Sequence, residues 1–363
     1  MKTLDRKFLA KMGDQYKKAT PGLKVQAFHK GKKILDVAVG KTYEIYDWAS
    51  VTKIVFTTSA LMLRFEEGAW RLNDRINKWV GWFPEESTWQ MRDLLTHSAG
   101  LTWWYPFYKQ VEKKTDKRTS PEEAWKVFEG ILKRRILADF KKQGPKSLKR
   151  HAIQSVYSDL DFFVLGFALE AIAESNLYSV WTELRERLDL RDTDFHRGNR
   201  VPRAHRNVAP TEDCAWRGKI LKGEVHDQNT WALRGVASHA GLFGPIDDLS
   251  RWGLLLRASI RGERKGFVSE KTARLFTKRA IPRSRGDWAL GFMMPSKGTA
   301  SCGPLFSADS VGHTGFTGTS LWYDPRKDLL VTILSNRVHP TVENTEIRNL
   351  RPLIHTWIVE GLG

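Results

Sequence analysis

Strand-forming segments lie near both ends of this chain, with helix-forming segments between them. Near the start, residues 25–29 and 33–39 are short apolar runs joined by a Lys-Gly-Lys turn, which predicts a β-hairpin. Near the end, residues 319–323 and 329–334 flank an Asp-Pro turn, which predicts a second hairpin. Because unpaired strands expose hydrogen-bonding groups, the simplest fold joins both hairpins in one antiparallel sheet.

The middle of the chain has apolar residues at helical spacing. A helix is predicted to begin near Ser50, where a polar turn gives way to an apolar run. Residues 197–230 are weakly periodic and contain Arg, Asn and Pro, so we expect a long ordered loop there. Further helices are predicted over 91–98, 121–140, 159–174, 247–257 and 344–359, with a short amphipathic helix at the start.

These elements predict an α/β (α+β) fold. It consists of an antiparallel sheet built from both chain ends and flanked by helices, plus an inserted, mainly helical domain. We predict that residues 1–86 and 235–363 form the sheet domain and that residues 87–234 form the helical domain.

The composition is typical of a soluble globular protein, with 41% hydrophobic and 28% charged residues among 363. No apolar run is long enough to span a bilayer, and the start lacks the apolar region of a secretory signal. The protein is therefore cytoplasmic, or periplasmic if a signal has been removed. The sequence leaves both compartments open.

Cysteine and histidine usage gives no sign of a metal site. Cys214 and Cys302 lie far apart without a CxxC pattern, which favours two free thiols over one disulfide. His97, His226 and His239 show no metal-ligand spacing, and we interpret them as structural. We predict neither a metal nor another cofactor.

Positive charge is concentrated in one segment. Lys and Arg exceed Asp and Glu by 18, and residues 109–150 alone hold fourteen basic and six acidic side chains. Such a segment is either a solvated helical face or a surface for an anionic polymer. No motif for specific nucleic-acid binding accompanies it.

Ser50 and Lys53 form the only SxxK pair in the sequence. On a helix they share one face, so the amine could take the proton that a serine nucleophile must lose. Apolar neighbours would lower the pKa of Lys53 and favour its neutral form. The backbone N–H of Ser50, at a helix N-terminus, could stabilise an oxyanion. The alternative is an ordinary helix start with a surface lysine.

Two further segments carry chemistry. Tyr157 begins the helix over 159–174, where a phenol near an ammonium group could relay a proton. It could equally be a buried aromatic residue at a helix start. Residues 312–320 place small residues before a strand, where a substrate backbone could align along the sheet edge. The alternative there is a glycine-rich strand entry.

Together, in this order, these motifs resemble the serine β-lactamase and penicillin-binding protein superfamily. The closest branch is the class C-like group, which includes penicillin-binding protein 4B, cell-wall amidases and esterases. The resemblance extends to DLLTHSAGLT at 93–102, to GEVHDQNTWALRGVASHAGLFG at 223–244 and to residues 312–340. It implies the same α/β fold with a helical domain, and an active site in the cleft between the two.

The resemblance also implies residue roles. Ser50 would be acylated, and Lys53 and Tyr157 would handle its proton. The backbone N–H groups of Ser50 and Phe316 would bind the oxyanion. His313, with Thr314 and Gly315, stands where the family has Lys-Thr-Gly and would line the site on an edge strand.

Two positions depart from the family pattern. Asp159 replaces an asparagine, and an ionised carboxylate accepts hydrogen bonds but cannot donate them to a substrate carbonyl. His313 replaces a lysine, so recognition of a substrate carboxylate is weaker if the imidazole is neutral. Both departures argue against an efficient β-lactamase and are compatible with a slow peptidase, an amidase or an esterase.

The resemblance therefore implies a serine acyl hydrolase. The leading hypothesis is a D-alanyl-D-alanine carboxypeptidase acting on peptidoglycan-derived peptides, with β-lactams as covalent ligands. A β-lactamase, an N-acetylmuramyl-L-alanine amidase or an esterase are alternatives on the same site. A different hypothesis is a non-catalytic protein that binds an anionic polymer through residues 109–150.

Overall fold

The computed structural model describes residues 3–143, 154–203, 205–298 and 300–362. Ten strands lie in this part of the chain. They are β1 (Gly22–His29), β2 (Lys32–Gly40), β3 (Tyr46–Asp47), β4 (Asp194–Phe195), β5 (Pro210–Cys214), β6 (Lys219–Lys222), β7 (Leu242–Gly244), β8 (Val311–Thr314), β9 (Ser320–Asp324) and β10 (Leu329–Ser335).

Twelve α-helices are described over the same ranges. Two further helical segments, a 3₁₀ turn at Ala49–Val51 and a π-helix at Lys53–Thr58, lead into α3. The helices are α1 (Thr3–Met12), α2 (Tyr16–Ala19), α3 (Ser59–Glu66), α4 (Met91–Leu95), α5 (Tyr108–Val111), α6 (Pro121–Gln143), α7 (Asp159–Ala173), α8 (Leu177–Arg187), α9 (Gln228–Ala232), α10 (Ile246–Ile260), α11 (Glu270–Thr277) and α12 (Ile347–Glu360).

The main sheet joins the two ends of the chain. Its strand order is β2-β1-β10-β9-β8, with every neighbouring pair antiparallel. Strand β1 pairs with β10 from Leu23↔Ser335 to His29↔Leu329. Both predicted hairpins are present, and the predicted antiparallel sheet from both chain ends is confirmed. The domain boundaries remain a prediction.

Alternation along β10 explains why both faces of the sheet are covered. Leu330 and Leu334 belong to the larger core, which also contains residues of α3, α7 and α10. Val331 and Ile333 point to the opposite face and pack in a second core with residues of α1 and α12. The sheet therefore lies between two helical layers. Strand β10 requires both layers, because it carries apolar side chains on both of its faces.

Small elements were the least predictable from the sequence. The expected loop over 197–230 contains the β5–β6 hairpin, the short helix α9 and a 3₁₀ turn at Arg197–Asn199. The three-stranded sheet β3-β7-β4 was not expected, because strands of two or three residues leave no periodic signal. The last helix begins at Ile347 rather than at 344.

The cysteines, the basic segment and the length of the helices also bear on the sequence expectations. Cys214 and Cys302 are both free and buried, so the disulfide alternative is wrong. The basic segment is helical over α6, and its residues 144–150 lie outside the described residues. Among the residues that the structure describes, no helix is both long and apolar enough to cross a membrane.

Candidate active site

Ser50 lies in a tight turn between β3 and the helical segment that follows. Ala49 has a positive φ of 47°, which a residue with a Cβ adopts only when its surroundings impose it. The buried Asp47 carboxylate accepts the N–H of Ala49 at 2.8 Å and that of His226 at 2.8 Å. The indole of Trp48 donates to the carbonyl of Gly244 at 3.0 Å. These contacts fix the backbone from which the Ser50 side chain projects.

The side chains of Lys53 and Tyr157 both reach the Ser50 hydroxyl, which brings three of the predicted site residues together. Lys53 Nζ lies 3.0 Å from Ser50 Oγ, as expected for residues one helical turn apart. Tyr157 Oη, from the segment before α7, lies 2.8 Å from the same oxygen. Lys53 is completely buried, so the alternative of a surface lysine is wrong. The assignment of these three residues to catalysis remains a prediction.

Asp159 changes the electrostatics expected for Lys53. Lys53 Nζ donates to Asp159 Oδ1 at 2.7 Å and to the carbonyl of His239 at 3.2 Å. Burial lowers the pKa of Lys53, but the Asp159 carboxylate and the Tyr157 oxygen outweigh it, so that the pKa is raised. The expected lowering of this pKa is therefore wrong for the resting site. The expectation considered only the apolar neighbours of Lys53 in the sequence, whereas Asp159 comes from the distant helix α7.

Tyr157 is surrounded by rings and by the lysine. Its ring is stacked on Trp288, with centroids 5.9 Å apart, and His97 lies 4.9 Å away. Lys53 Nζ is 5.0 Å from the ring centroid. Removal from water raises the pKa of Tyr157, although the Lys53 charge opposes this. At neutral pH the phenol is therefore protonated and can donate to Ser50 Oγ.

His313 is buried and neutral. Its Nδ1 lies 2.8 Å from the carbonyl oxygen of Thr314, and this bond requires the proton on Nδ1. Burial, assisted by the nearby charge of Lys53, lowers the pKa of His313 to about 3. The imidazole therefore carries no positive charge at neutral pH, and it does not supply the cation that a lysine would supply here.

The chain after His313 passes close to the Ser50 turn. A Cβ on Gly315 would lie 2.5 Å from the carbonyl oxygen of Trp48, so only glycine permits this approach. The carbonyl of Gly315 accepts the N–H of Gly318 at 3.0 Å. Because a trans peptide directs its N–H opposite to its carbonyl, the Phe316 N–H points away from Gly318. The role of that N–H as an oxyanion donor remains a prediction.

The strand β8 is an edge strand of the main sheet. Met293 pairs with Gly312 on its outer side, at 2.9 and 3.0 Å. Two residues further along, Thr314 directs its hydroxyl to the sulfur of Met293 at 3.8 Å. Met293 therefore covers the start of the strand, and the stretch beyond it is the part available to an extended substrate.

Two exposed aromatic side chains stand near these groups. Phe316 is 51% exposed, stacks on His226 at 5.4 Å and has its carbonyl held by Arg337 Nε at 2.7 Å. Trp103 is 63% exposed, and its carbonyl accepts the N–H of Asp159 at 3.0 Å. Both rings are exposed, and their segments contact residues next to Ser50 and Lys53.

His97 is buried and supports the Tyr157 segment, and its interpretation as structural remains a prediction. Its Nδ1 lies 2.9 Å from Asp161 Oδ2 and accepts the N–H of Ser158 at 3.2 Å. Burial raises the pKa of Asp161 well above its usual value and lowers the pKa of His97 well below its own. A protonated Asp161 therefore donates to a neutral His97, and the pair fixes the residue that follows Tyr157.

A group suited to a cation lies next to the lysine. Asp159, Asp227 and His239 offer ligand atoms within 4.8 Å of one another. Lys53 already donates to Asp159, and Asp227 Oδ1 lies 3.1 Å from His239 Nε2. The ammonium group of Lys53 thus supplies positive charge at this position. Sequence spacing alone did not identify the group, because its members come from separate segments.

Comparison with known proteins places the chain in a family. A family model described as Beta-lactamase matches residues 4–354. A Salmonella typhimurium (strain LT2) protein, provisionally named a D-alanyl-D-alanine carboxypeptidase, is 30% identical over 355 residues, covering 88% of this chain and 77% of that protein.

Solved structures show the same fold. EstCE1, described as a hydrolase with promiscuous acyltransferase activity, has a TM-score of 0.71 at 19% identity, with 98% of both chains covered. An octameric penicillin-binding protein homologue from Pyrococcus abyssi has a TM-score of 0.64 at 17% identity, covering 96% of this chain and 77% of that one. With the family match over nearly its whole length, the chain belongs to the β-lactamase family of serine hydrolases.

Proposed function

We propose that Ser50 is the nucleophile of an acyl hydrolase and forms an acyl-enzyme. The observation that carries this proposal is the meeting of Lys53 Nζ and Tyr157 Oη at Ser50 Oγ, at 3.0 and 2.8 Å. Serine hydroxyls need a positioned base to react, and a binding protein has no need of this arrangement. The N–H groups of Ser50 and Phe316 are the proposed oxyanion donors.

The proposed reaction consists of acylation and deacylation of Ser50. Ser50 Oγ bonds to the carbonyl carbon of an amide or ester while its proton passes to the neutral amine of Lys53. The bond to the leaving nitrogen or oxygen breaks, that atom takes a proton from Tyr157, and Lys53 restores the proton of the phenol. Water then attacks the acyl-enzyme, one of its protons returns to Ser50 Oγ, and the acid is released.

The leading substrate is a peptidoglycan-derived peptide ending in D-Ala-D-Ala. The similarity to a relative provisionally named a carboxypeptidase supports this choice. β-Lactams, whose strained amide is opened by the same attack, are then expected to bind Ser50 covalently. We expect a penicillin or a fluorophosphonate to add one label to Ser50, observed by mass spectrometry, and none to the Ser50→Ala variant. An unlabelled wild-type protein with both reagents would contradict the proposal.

A second candidate, an esterase, is favoured by His313. A carboxypeptidase must accept a free terminal carboxylate, and the buried neutral imidazole supplies no charge to bind it. An uncharged ester would not need that charge. The fold neighbour EstCE1 is itself described as a hydrolase with acyltransferase activity.

Matched substrates separate the two candidates. We suggest comparing kcat/KM for an acyl-D-Ala-D-Ala peptide, for the same peptide with a C-terminal amide, and for a p-nitrophenyl ester. A preference for the free acid over the amide supports the carboxypeptidase. Equal or lower turnover of the free acid, with faster turnover of the ester, supports the esterase. Ser50→Ala measures the background of each reaction.

The basic segment supports a separate proposal, an anionic polymer as partner. Lys133, Arg134, Lys141 and Lys142 are exposed on α6, whereas Arg135 pairs with Asp139. Such charges attract polyanions in a salt-dependent manner. Replacing Lys133 and Arg134 by glutamate should weaken binding of a polyanion such as poly-glutamate without changing the labelling of Ser50. If polymer binding and biological activity both survived Ser50→Ala, a non-catalytic role would be favoured.

A further inference from the structure

A cavity of about 390 Å³ lies between α6, α7 and the start of α8. None of its lining residues belongs to the Ser50 site. Its volume falls in the range of small-molecule sites. We propose that this cavity is a second binding site, which takes an organic cation with an alkylammonium group.

Helical spacing places aromatic rings and carboxylates on the cavity walls. Trp125 and Glu129 are one turn apart on α6, and Phe167 and Glu170 are one turn apart on α7. Tyr178, near the start of α8, also lines the cavity, but the Arg197 guanidinium already lies over its ring, 5.2 Å from the centroid. Trp125 and Phe167 stack on each other with their centroids 4.4 Å apart, so the walls combine an apolar surface with carboxylates that can hold a positive charge.

Two of the carboxylates have hydrogen-bond donors but no counter-charge. Glu170 accepts the Trp125 indole N–H at 2.7 Å and the N–H of Leu177 at 3.0 Å. Glu129 accepts the indole N–H of Trp82 at 2.9 Å. Within the described ranges, neither carboxylate forms an ion pair. A ligand ammonium would supply the missing charge.

The remaining charges of the cavity differ from these two. Glu122 also lines the cavity, but both its oxygens are bound by Arg197 Nη2, at 2.8 and 2.7 Å. Lys126 lines the cavity from an exposed position on α6. The positive ligand would therefore meet Glu129 and Glu170, away from the Arg197 contact.

The titration of Glu170 is consistent with a negative charge that lacks a counter-charge. Burial raises its pKa to about 7, and the negative charges of Glu129 and Glu122 act in the same direction, so a bound cation would favour the ionised carboxylate. An ammonium group between Glu129 and Glu170 would relieve their repulsion. A negative cavity is also unusual in a chain with a net charge of +18, where non-specific electrostatics alone would repel a cation.

Calorimetry with a matched pair of ligands tests the proposal. n-Pentylamine and 1-pentanol have the same chain length and differ in the charge of the head group. At about pH 8, where the amine is charged and Glu170 is mostly ionised, we expect saturable one-to-one binding of the amine. The alcohol should bind about tenfold more weakly or not at all.

Variants locate the binding. Glu170→Gln and Glu129→Gln should each weaken amine binding about tenfold, because each removes one of the two carboxylates that would face the ammonium group. Glu186→Gln, which removes an exposed charge from α8 outside the cavity, is the matched control and should change nothing. Ser50→Ala should bind the amine normally, so that failure here is distinct from failure of the proposed hydrolase activity.

Three results would overturn the proposal. They are the absence of saturable amine binding, equal binding of amine and alcohol, and a loss in Glu186→Gln as large as that in Glu170→Gln. If Glu170→Gln does not fold, Glu129→Gln still tests the proposal, and unchanged amine binding in that variant would overturn it.

Discussion

Two donors surround the Ser50 oxygen in the resting site. Lys53 Nζ and Tyr157 Oη both lie within hydrogen-bond distance of it, and the raised pKa values keep both groups protonated at neutral pH. A base is available only when Lys53 loses its proton. Asp159, by holding that proton on Lys53, is therefore expected to set the pH at which Ser50 becomes reactive.

Asp159→Asn tests this dependence. Replacement removes the carboxylate that raises the pKa of Lys53, and the burial that lowers it remains, so the neutral amine should form at lower pH. The alkaline rise in the rate of Ser50 labelling by a fluorophosphonate should move to lower pH. Asp213→Asn, at an exposed carboxylate elsewhere, is the control. An unmoved profile in Asp159→Asn would show that Lys53 is not the base.

Elements, rather than single residues, bring the Gly315 segment against the turn that carries Ser50. The chain that leaves strand β8 passes, at Gly315, against Trp48 next to the 3₁₀ turn that carries Ser50, and this contact leaves no room for a side chain. The spacing between the two backbone segments is therefore set by the absence of one methyl group. Glycine is therefore needed at position 315 because it lacks a Cβ, and not because of its backbone flexibility.

Gly315→Ala should separate these two segments. The new methyl group would lie 2.5 Å from the carbonyl oxygen of Trp48, so one segment must shift, and misplacement of about 1 Å can reduce turnover about 100-fold. The comparison is kcat/KM for an ester substrate. Gly130→Ala is the control, because a methyl group there meets only Arg134 at 3.7 Å. Unchanged turnover in Gly315→Ala would show that the contact between Gly315 and Trp48 does not position the site.

Helix α10 is tied to the β9–β10 turn by a buried ion pair. Arg257 binds Asp328 through Nε at 2.7 Å and Nη2 at 2.8 Å, with side chains only 10% and 8% exposed. Arg257→Ala would leave the buried Asp328 carboxylate with only the Tyr323 hydroxyl at 3.0 Å and the longer contact with Arg261 at 3.5 Å, and should lower the free energy of unfolding by about 3 kcal/mol. Urea denaturation measures this. Arg251→Ala, whose side chain is 53% exposed, should change it by less than about 1 kcal/mol.

The sequence predicted elements better than the contacts between them. The hairpins around β1–β2 and β9–β10 were visible because alternation and turn residues are local signals. The SxxK spacing likewise predicted that Lys53 would reach Ser50. The ion pair between Lys53 and Asp159 was not visible, since it joins residues 106 apart and depends on how α7 packs. The burial of His313, and with it its neutral state, depends on packing in the same way.

Across the whole molecule, several histidines are buried in the neutral state. Burial lowers the pKa of His196 and His313 to about 3 and that of His355 to about 4. They lie in different parts of the fold, near β4, on β8 and on α12. As the pH falls below 6.5, each would take up a proton in the unfolded chain before it does so in the folded one. Acid should therefore destabilise the molecule in several places at once.

His355→Gln isolates one of these contributions. His355 is inaccessible to solvent, with Nδ1 bound to the Arg351 carbonyl at 2.8 Å, so its protonation is resisted until the pH approaches 4. As the pH falls from 6.5 to about 4, His355 should lower the free energy of unfolding by about 1.4 kcal/mol per pH unit. The His355→Gln variant should lack this slope. Urea denaturation at several pH values measures the slopes. Ile354→Val, a buried neighbour on the same helix, should lower stability equally at every pH. Parallel profiles for wild type and His355→Gln would mean that this histidine titrates alike in the folded and unfolded chains, which its burial forbids.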